Sequence, residues 1–456
     1  MAREFQQEIS SKSLIVSWQQ DPFPKIKQLL PYVIMGLCLL IGLINLGFNG
    51  FIRNYGKEGV DFPQYYVAGT LWSQGQNAYD LAVFQETNRK LGLGDLNIDF
   101  GLLYPPQLYW IAVPLSWTAP QTAQQIFGII SLMLWIFSTG MLGLLIYREG
   151  HFNAYALAIL FLLMGNFGVV NSFISSQITP FIFTSLILAY FLMQRGHFVA
   201  SGFILAFAAL KPQTIFLLVP IILFQRNYRM LIGVLIGGLV FNVTPILLMG
   251  QSVLDVFVSW VTRLESVDNG LNIPYPAETI SSNMIHLQVI TNRVLNQHSS
   301  FSILINTLVI GILVIAAIYP IVRAGSTGKT RLLDFALGCA IPLTMFYNRW
   351  YGLFALAPAV MVIYVHIRSL ESASARRWWI GWLVIILVIL SIPNRTLWDP
   401  MAELLDQHPE MWLVQVLLPY QAWLCLGISI SLIYLRWRAW FNSSSRQPVR
   451  VETAAA

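Results

Sequence analysis

The feature that most constrains this chain is a series of long, nearly uncharged apolar stretches, several of them close to the ~20 residues that one helix needs to cross a bilayer. Lipid offers no partner to a backbone N–H or C=O, so a spanning segment must satisfy its own hydrogen bonds as a helix or as part of a closed barrel. The stretches are continuous rather than alternating, which selects helices. Composition agrees: 56% of residues are hydrophobic, 11% are charged and the mean hydropathy is +0.63. A soluble domain carries about 25% charged residues, so this chain lacks the charge to cover a water-facing surface of its size. The fold class that follows is all-α, a polytopic membrane protein.

Twelve candidate spans run over 29–51, 105–118, 121–147, 153–171, 175–194, 198–225, 230–249, 301–322, 332–347, 350–367, 378–394 and 411–435. With residues 1–28 in the cytoplasm, the inner loops hold Arg226 and Arg229, then Arg323, Lys329 and Arg331, then Arg368, Arg376 and Arg377. The long loops fall on the other side and are acidic. Loop 52–104 has six acids against four bases, loop 250–300 has four against two, and loop 395–410 has Asp399, Glu403, Asp406 and Glu410 against Arg395. That asymmetry satisfies the positive-inside rule. It also explains the net charge of +6 as topology and gives no reason to invoke nucleic acid. Two crossings within 198–225 would invert every later loop, so Lys211-Pro212 is read as the break in one interrupted helix. The organisation expected is a cytoplasmic segment 1–28, a transmembrane domain 29–435, and a flexible, basic cytoplasmic tail 436–456.

The outer loops are neither low-complexity nor rich in Ser and Gly. Segment 61–72 sets Phe62, Tyr65, Tyr66, Gly69 and Trp72 on one helical face, 81–91 sets Leu81, Phe84 and Leu91, and 256–267 sets Phe257, Trp260, Val261, Leu264 and Val267. These read as amphipathic helices lying in the membrane interface. Cys38, Cys339 and Cys425 lie in apolar stretches without metal or redox spacing. No Walker-type phosphate loop, Rossmann glycine fingerprint or metal-ligand cluster occurs, so neither a metal nor another cofactor is expected.

Chemistry-bearing residues collect on the outer side. Glu58 and Asp61 are three apart, hence on one side of a helical turn. Asp61 can cap the aromatic helix that follows it; it can equally serve as a general base above the membrane. Lys211 lies within an apolar run, where a charge costs at least ~2.5–3.5 kcal/mol and usually faces a cavity or ligand. Snorkelling from a half-helix end is the structural alternative, and a phosphate is the natural partner for such a point cation. Arg349, in Tyr347-Asn348-Arg349-Trp350-Tyr351, can grip an anionic headgroup or simply anchor the interface. His286 and His298 lie in loop 250–300, where either can move a proton, bind phosphate or merely sit at the surface.

The order of several motifs resembles the polyprenyl-phosphate-mannose-dependent mannosyltransferases, glycosyltransferase family 87, of the C-type membrane fold. Those motifs are Asp61-Phe62-Pro63-Gln64-Tyr65-Tyr66-Val67-Ala68-Gly69 with Gly75 and Tyr79-Asp80, then Tyr104-Pro105-Pro106, Pro114-Leu115-Ser116, Ser176-Gln177 and Leu210-Lys211-Pro212-Gln213. The resemblance spans roughly 29–370, and Asn348-Arg349-Trp350-Tyr351 stands where similar chains carry a His-rich aromatic turn. It implies Asp61 as catalytic base with Glu58 nearby; together with the residues singled out above, the candidate substrate-binding residues are Lys211, Gln213, Arg349, Tyr65, Tyr66, Gln177 and His286. It further implies a polyprenyl-phosphate sugar donor and a glycolipid or glycan acceptor; the loop charges set the site on the extracytoplasmic side, and the absence of a eukaryotic retention signal points to a bacterial plasma membrane. One base suits transfer of a hexose with inversion, whereas retention needs a second, nucleophilic carboxylate. The rival reading is a transporter or flippase, which also has many spans, a broken helix and a buried cation.

Overall fold

The computed structural model describes residues 24–94, 101–271, 285–295, 300–328, 330–346, 349–392 and 400–444, the last without 402, 405, 406, 409 and 410. His298, Tyr347, Asn348, residues 1–23, most of loop 395–410 and the tail beyond 444 lie outside the described residues. Among the described residues every element is helical.

The chain is a multi-pass membrane protein. Eight described helices are long and apolar enough to cross a bilayer: Gln28–Asn54, Pro120–Arg148, Ala154–Ile174, Tyr228–Leu248, Phe301–Ala324, Tyr351–Ser369, Ala373–Ser391 and Tyr420–Ser443. Shorter apolar helices follow at Thr179–Gln194, Phe198–Leu210 and Pro212–Phe224. Length and hydropathy support these eight spans among the described residues and leave the count of twelve unconfirmed. The segment expected to span at 105–118 is instead a short helix, Tyr109–Ser116, with Ile111 to Val113 buried inside the protein.

We number the helices that matter to the site α1 (Pro24–Leu43), α2 (Phe62–Ser73), α3 (Leu81–Leu91), α4 (Tyr109–Ser116), α5 (Pro120–Arg148), α6 (Ala154–Met164), α7 (Phe167–Ile174), α8 (Thr179–Gln194), α9 (Phe198–Phe207), α10 (Leu218–Phe224) and α11 (Tyr228–Leu248). The later helices are α12 (Val253–Leu271), α13 (Leu287–Val294), α14 (Ser300–Ala324), α15 (Arg331–Met345), α16 (Ala357–Ser369), α17 (Ala373–Ser391), α18 (Trp412–Leu417) and α19 (Tyr420–Ser444). Helix α1 shows lipid a face of Leu37, Leu40 and Phe48, each more than half exposed, then runs through a wider π-type turn to Phe51 and a 3₁₀ turn to Asn54.

The outer loops fold inward. Helix α2 does not lie on the membrane surface as its aromatic stripe suggests; Phe62 to Gly69, Leu71 and Trp72 are buried, so both faces are covered by protein. Close packing against α4 is the reason. Any Cβ on Gly69 would collide with the carbonyl of Ala112, so glycine is what lets the two backbones meet. Helix α3 starts at Asp80, whose Oδ1 accepts from the amides of Ala82 and Val83, and stops at Gly92 with φ 64°. On α12, Phe257 and Trp260 pack on the core while Leu254, Val258, Val261 and Leu264 stay exposed, so that helix does keep an apolar outer stripe.

At the opposite end, Arg436 is 1% exposed and Asp334 0%, with Nε donating to Oδ1 at 2.6 Å. Gln225 donates to the other carboxylate oxygen at 3.2 Å, and Arg436 also donates to the carbonyl of Gly325. Residues 436–444, expected as flexible tail, continue α19, and this buried pair fixes that helix to α15.

Candidate active site

The helix interruption builds the first half of the site. Helix α9 ends at Phe207 and tightens through a 3₁₀ turn; Lys211 is extended at φ −122°, ψ 96°; a second 3₁₀ turn, Pro212–Thr214, leads towards α10. Pro212 has no N–H and biases Lys211 away from helical angles, so the break is written into the sequence. Carbonyls freed by the break need donors. Gln107, fully buried, donates to the carbonyl of Phe207 at 3.2 Å and accepts from Asn242. Thr214 donates to the carbonyl of Ala208 at 2.8 Å.

The second half is the turn between α7 and α8. Ser176 adopts φ 52°, so Ser175, Ser176 and Gln177 double back sharply. The amide of Asp61 donates to the carbonyl of Ser175 at 3.1 Å. Two residues earlier, Gly59 lies so close that a Cβ would meet the Ser176 Cβ at 2.7 Å and its amide nitrogen at 2.8 Å. Asp61 is thereby clipped to the turn at the head of α2. It is 8% exposed, sits at the N-cap position and makes no side-chain cap hydrogen bond, so the capping reading is not what the carboxylate does.

On the other side of that turn Gln177, 1% exposed, accepts from the Lys211 ammonium at 2.9 Å and from the Tyr104 hydroxyl at 3.5 Å. Tyr65 donates to the Tyr104 hydroxyl at 3.2 Å, and the two rings meet edge to face at 5.4 Å. Lys211 also lies 4.1 Å from the centre of the Tyr351 ring, a cation–π contact. Asp61 and Arg349 both lie within electrostatic range of Lys211, one attracting and one repelling it. Burial, then the neighbouring Tyr104 and Asp61, hold the Tyr65 phenol well above the ordinary tyrosine range, so it remains a neutral donor.

Five of the residues expected from sequence thus fall in one cluster: Asp61, Tyr65, Gln177, Lys211 and Arg349. Gln213 is half-buried just beyond the break. Tyr66 turns the other way and donates to the carbonyl of Thr118 at 2.6 Å. Glu58 is exposed and accepts from the amide of Gly94 at 2.8 Å, which ties it to the end of α3. His286 heads α13, a helix packed on α14, α18 and α19; burial pushes its pKa down to about 4, so its ring is neutral at physiological pH. Tyr104 and Tyr351 were not among the candidates. The only early sign of Tyr104 was its place before Pro105-Pro106, and neither residue type stands out among 18 tyrosines.

A carboxylate beside two cations, ringed by neutral phenols and a carboxamide, can take a proton from one group while holding an anion on another. In a many-spanned helical protein that is an arrangement a membrane-embedded enzyme can use. The sequence profile of glycosyltransferase family 87 matches residues 102–347, more than half the chain, and the chain belongs to that family as a membrane glycosyltransferase. The match takes in Tyr104, Gln177 and Lys211; it begins beyond Asp61. No curated protein and no solved structure matches the chain.

Proposed function

We propose that this glycosyltransferase moves a hexose, mannose by resemblance, from a polyprenyl-phosphate donor to an extracytoplasmic glycolipid or glycan acceptor with inversion. Asp61 takes the proton of the acceptor hydroxyl as that oxygen attacks the anomeric carbon. The lipid phosphate leaves from the opposite face with the bonding electron pair, and Lys211 and Arg349 stabilise the charge that develops on it. Gln177 and Tyr104 keep the ammonium of Lys211 aimed. The observation that carries the reading is the clipping of one buried carboxylate, Asp61, to the same turn that presents Gln177 to Lys211.

Charge distribution supports the sidedness: loops 52–104 and 250–300 are acidic and meet through Asn77 to Ser259, Gln251 to the carbonyl of Gly75 and Trp260 to the carbonyl of Leu103, and we read their shared side as the one away from the basic connections at Arg226 and Arg323. On that basis residues 1–28 are cytoplasmic, the domain carries the activity through to the end of α19 at Ser444, and the tail beyond it returns to the cytoplasm. The test supplies membranes with a radiolabelled polyprenyl-phosphate mannose and follows transfer to endogenous acceptor. Asp61→Asn is expected to abolish transfer, and Lys211→Met to lower it about 10²-fold, the weight of one charge-stabilising group at a transition state. Full transfer by Asp61→Asn refutes the assignment of the base.

A further inference from the structure

In sequence, helix α12 of the loop 250–300 stands far from the cationic cluster, yet one of its side chains reaches the segment beside it. Trp260 packs on the core and donates its Nε1 to the carbonyl of Leu103 at 3.1 Å. The next carbonyl, that of Tyr104, accepts from the hydroxyl of Tyr79 at 2.9 Å. Tyr79 is itself buried. Two donors from two outer-loop segments thus clamp consecutive carbonyls immediately before Pro105.

The chain beyond the clamp is stiff. Proline fixes φ at both Pro105 and Pro106; Pro105 is extended at φ −67°, ψ 167°, and Pro106 opens a 3₁₀ turn to Leu108. Tyr104–Gln107 therefore moves as one rod, and it bears on Lys211 twice. The Tyr104 hydroxyl donates to Gln177 Oε1 at 3.5 Å, the same atom that accepts from the Lys211 ammonium at 2.9 Å. Gln107 Nε2 donates to the carbonyl of Phe207 at 3.2 Å, where α9 gives way to the break that carries Lys211. One end of the rod steadies the ammonium of the lysine and the other steadies its backbone.

We propose that Trp260 and Tyr79 are positioning residues for Lys211: by fixing the carbonyls of Leu103 and Tyr104 they hold the rod, and the rod sets where the ammonium meets the departing phosphate. This deepens the reading of Lys211 as the cation for the leaving group and rests on it. It also gives loop 250–300 a part in the transfer, with α12 as the outer brace of the site.

The test joins a readout without substrate to one with it, both on the full-length protein in detergent. Trp260→Phe keeps an aromatic ring and removes the N–H; Tyr79→Phe removes one hydroxyl and serves should Trp260→Phe fold poorly. The amides of Gln177 and Thr214 donate to the carbonyls of Ser172 and Lys211, each at 2.8 Å. Hydrogen exchange over 172–178 and 208–214 therefore reports how firmly the two partners of the rod are held. Either variant is expected to speed exchange there about fivefold, the weight of one net hydrogen bond. Ser259→Ala unties α12 from Asn77 but not from Leu103, and should leave both stretches as in the parent. In transfer from radiolabelled polyprenyl-phosphate mannose, Trp260→Phe is expected to lower kcat about tenfold with the donor KM within about twofold, because Lys211 acts on charge that develops as the phosphate leaves. Added to Lys211→Met it should cost less than about twofold more, since nothing is left to aim. Faster exchange confined to α12 and residues 101–104, or a loss that adds in full to that of Lys211→Met, overturns the proposal. Faster exchange at 172–178 alongside a fully active Lys211→Met keeps the brace and removes the role of the lysine; unchanged exchange alongside an inactive Lys211→Met does the reverse.

Discussion

Gly59→Ala is a small change that should disarm the enzyme without unfolding it. The added methyl would overlap the Ser176 hydroxyl and lie 2.7 Å from its Cβ and 2.8 Å from its amide nitrogen. Ordinary carbon contacts begin near ~3.5 Å, so the segment entering α2 must retreat by about 1 Å. Asp61 hangs from the same turn through its amide, so the carboxylate retreats with it. A displacement of about 1 Å at a reacting group costs roughly 10²-fold in rate. Overpacking at one methyl costs about 1–3 kcal/mol, which lowers the melting temperature in detergent by a few degrees only. The expected result is a kcat about 10²-fold down in a protein that still purifies and melts cooperatively. Ser176→Gly removes two of the three obstructing atoms and suits the positive φ of 52° at that position. The amide nitrogen remains, so the double variant should recover about half the loss on a logarithmic scale. Should folded Gly59→Ala turn over at the parental rate, the docking of this segment is not what aims Asp61.

Two further perturbations read other parts of the molecule. Asp334→Leu or Arg436→Leu alone strands a buried charge and should cost about 3–5 kcal/mol, whereas the double variant should melt close to the parent; a double variant as unstable as either single one contradicts the account of the pair. His286 has its folded pKa lowered to about 4 against an unfolded value near ~6.5, so the unfolded chain binds the proton first and stability falls as pH drops through that window. The loss is at most about 1.4 kcal/mol per pH unit, and His286→Leu should flatten the melting-temperature profile between pH ~6 and ~4; an unchanged slope refutes it.

The sequence was most legible where one property decides the outcome. Spans such as 378–394 and 350–367 fall within a few residues of Ala373–Ser391 and Tyr351–Ser369, because a long apolar run has few places to go. Helix α2 shows where that logic stops. Hydropathy reports only that water is avoided, and an aromatic face avoids it equally well in lipid or against α4; what decides is Gly69 meeting Ala112, a contact 43 positions apart in the chain. Arg436 was misplaced for the same reason, since a cation following an apolar run looks like a tail until Asp334 is seen beside it. Asp61, Gln177 and Lys211 were each singled out by residue type and motif, yet their convergence depends on the Ser176 turn and the break after Phe207.

That convergence has an electrostatic consequence. The described cluster sets one carboxylate, Asp61, against two cations, Lys211 and Arg349. With all three ionised it carries one positive charge in excess, in surroundings where burial of Tyr65 and Gln177 keeps the local dielectric low. In the transfer proposed above, a lipid phosphodiester brings a single negative charge and completes neutrality as the donor binds. When Asp61 takes the acceptor proton, its own charge vanishes and the cluster gains one unit of positive excess. At that moment the departing phosphate becomes a monoester, which at neutral pH carries close to ~2 negative charges. Neutrality therefore holds before and after transfer, with the negative charge moving from the carboxylate to the leaving group between fixed cations. One cation beside Asp61 would leave the site one positive charge short both with the donor bound and after transfer, and two cations without the carboxylate would leave the resting site overcharged in a medium that penalises it. On the proposed reading, the pairing of Lys211 with Arg349 around Asp61 supplies the charge that this transfer requires of a site in a membrane.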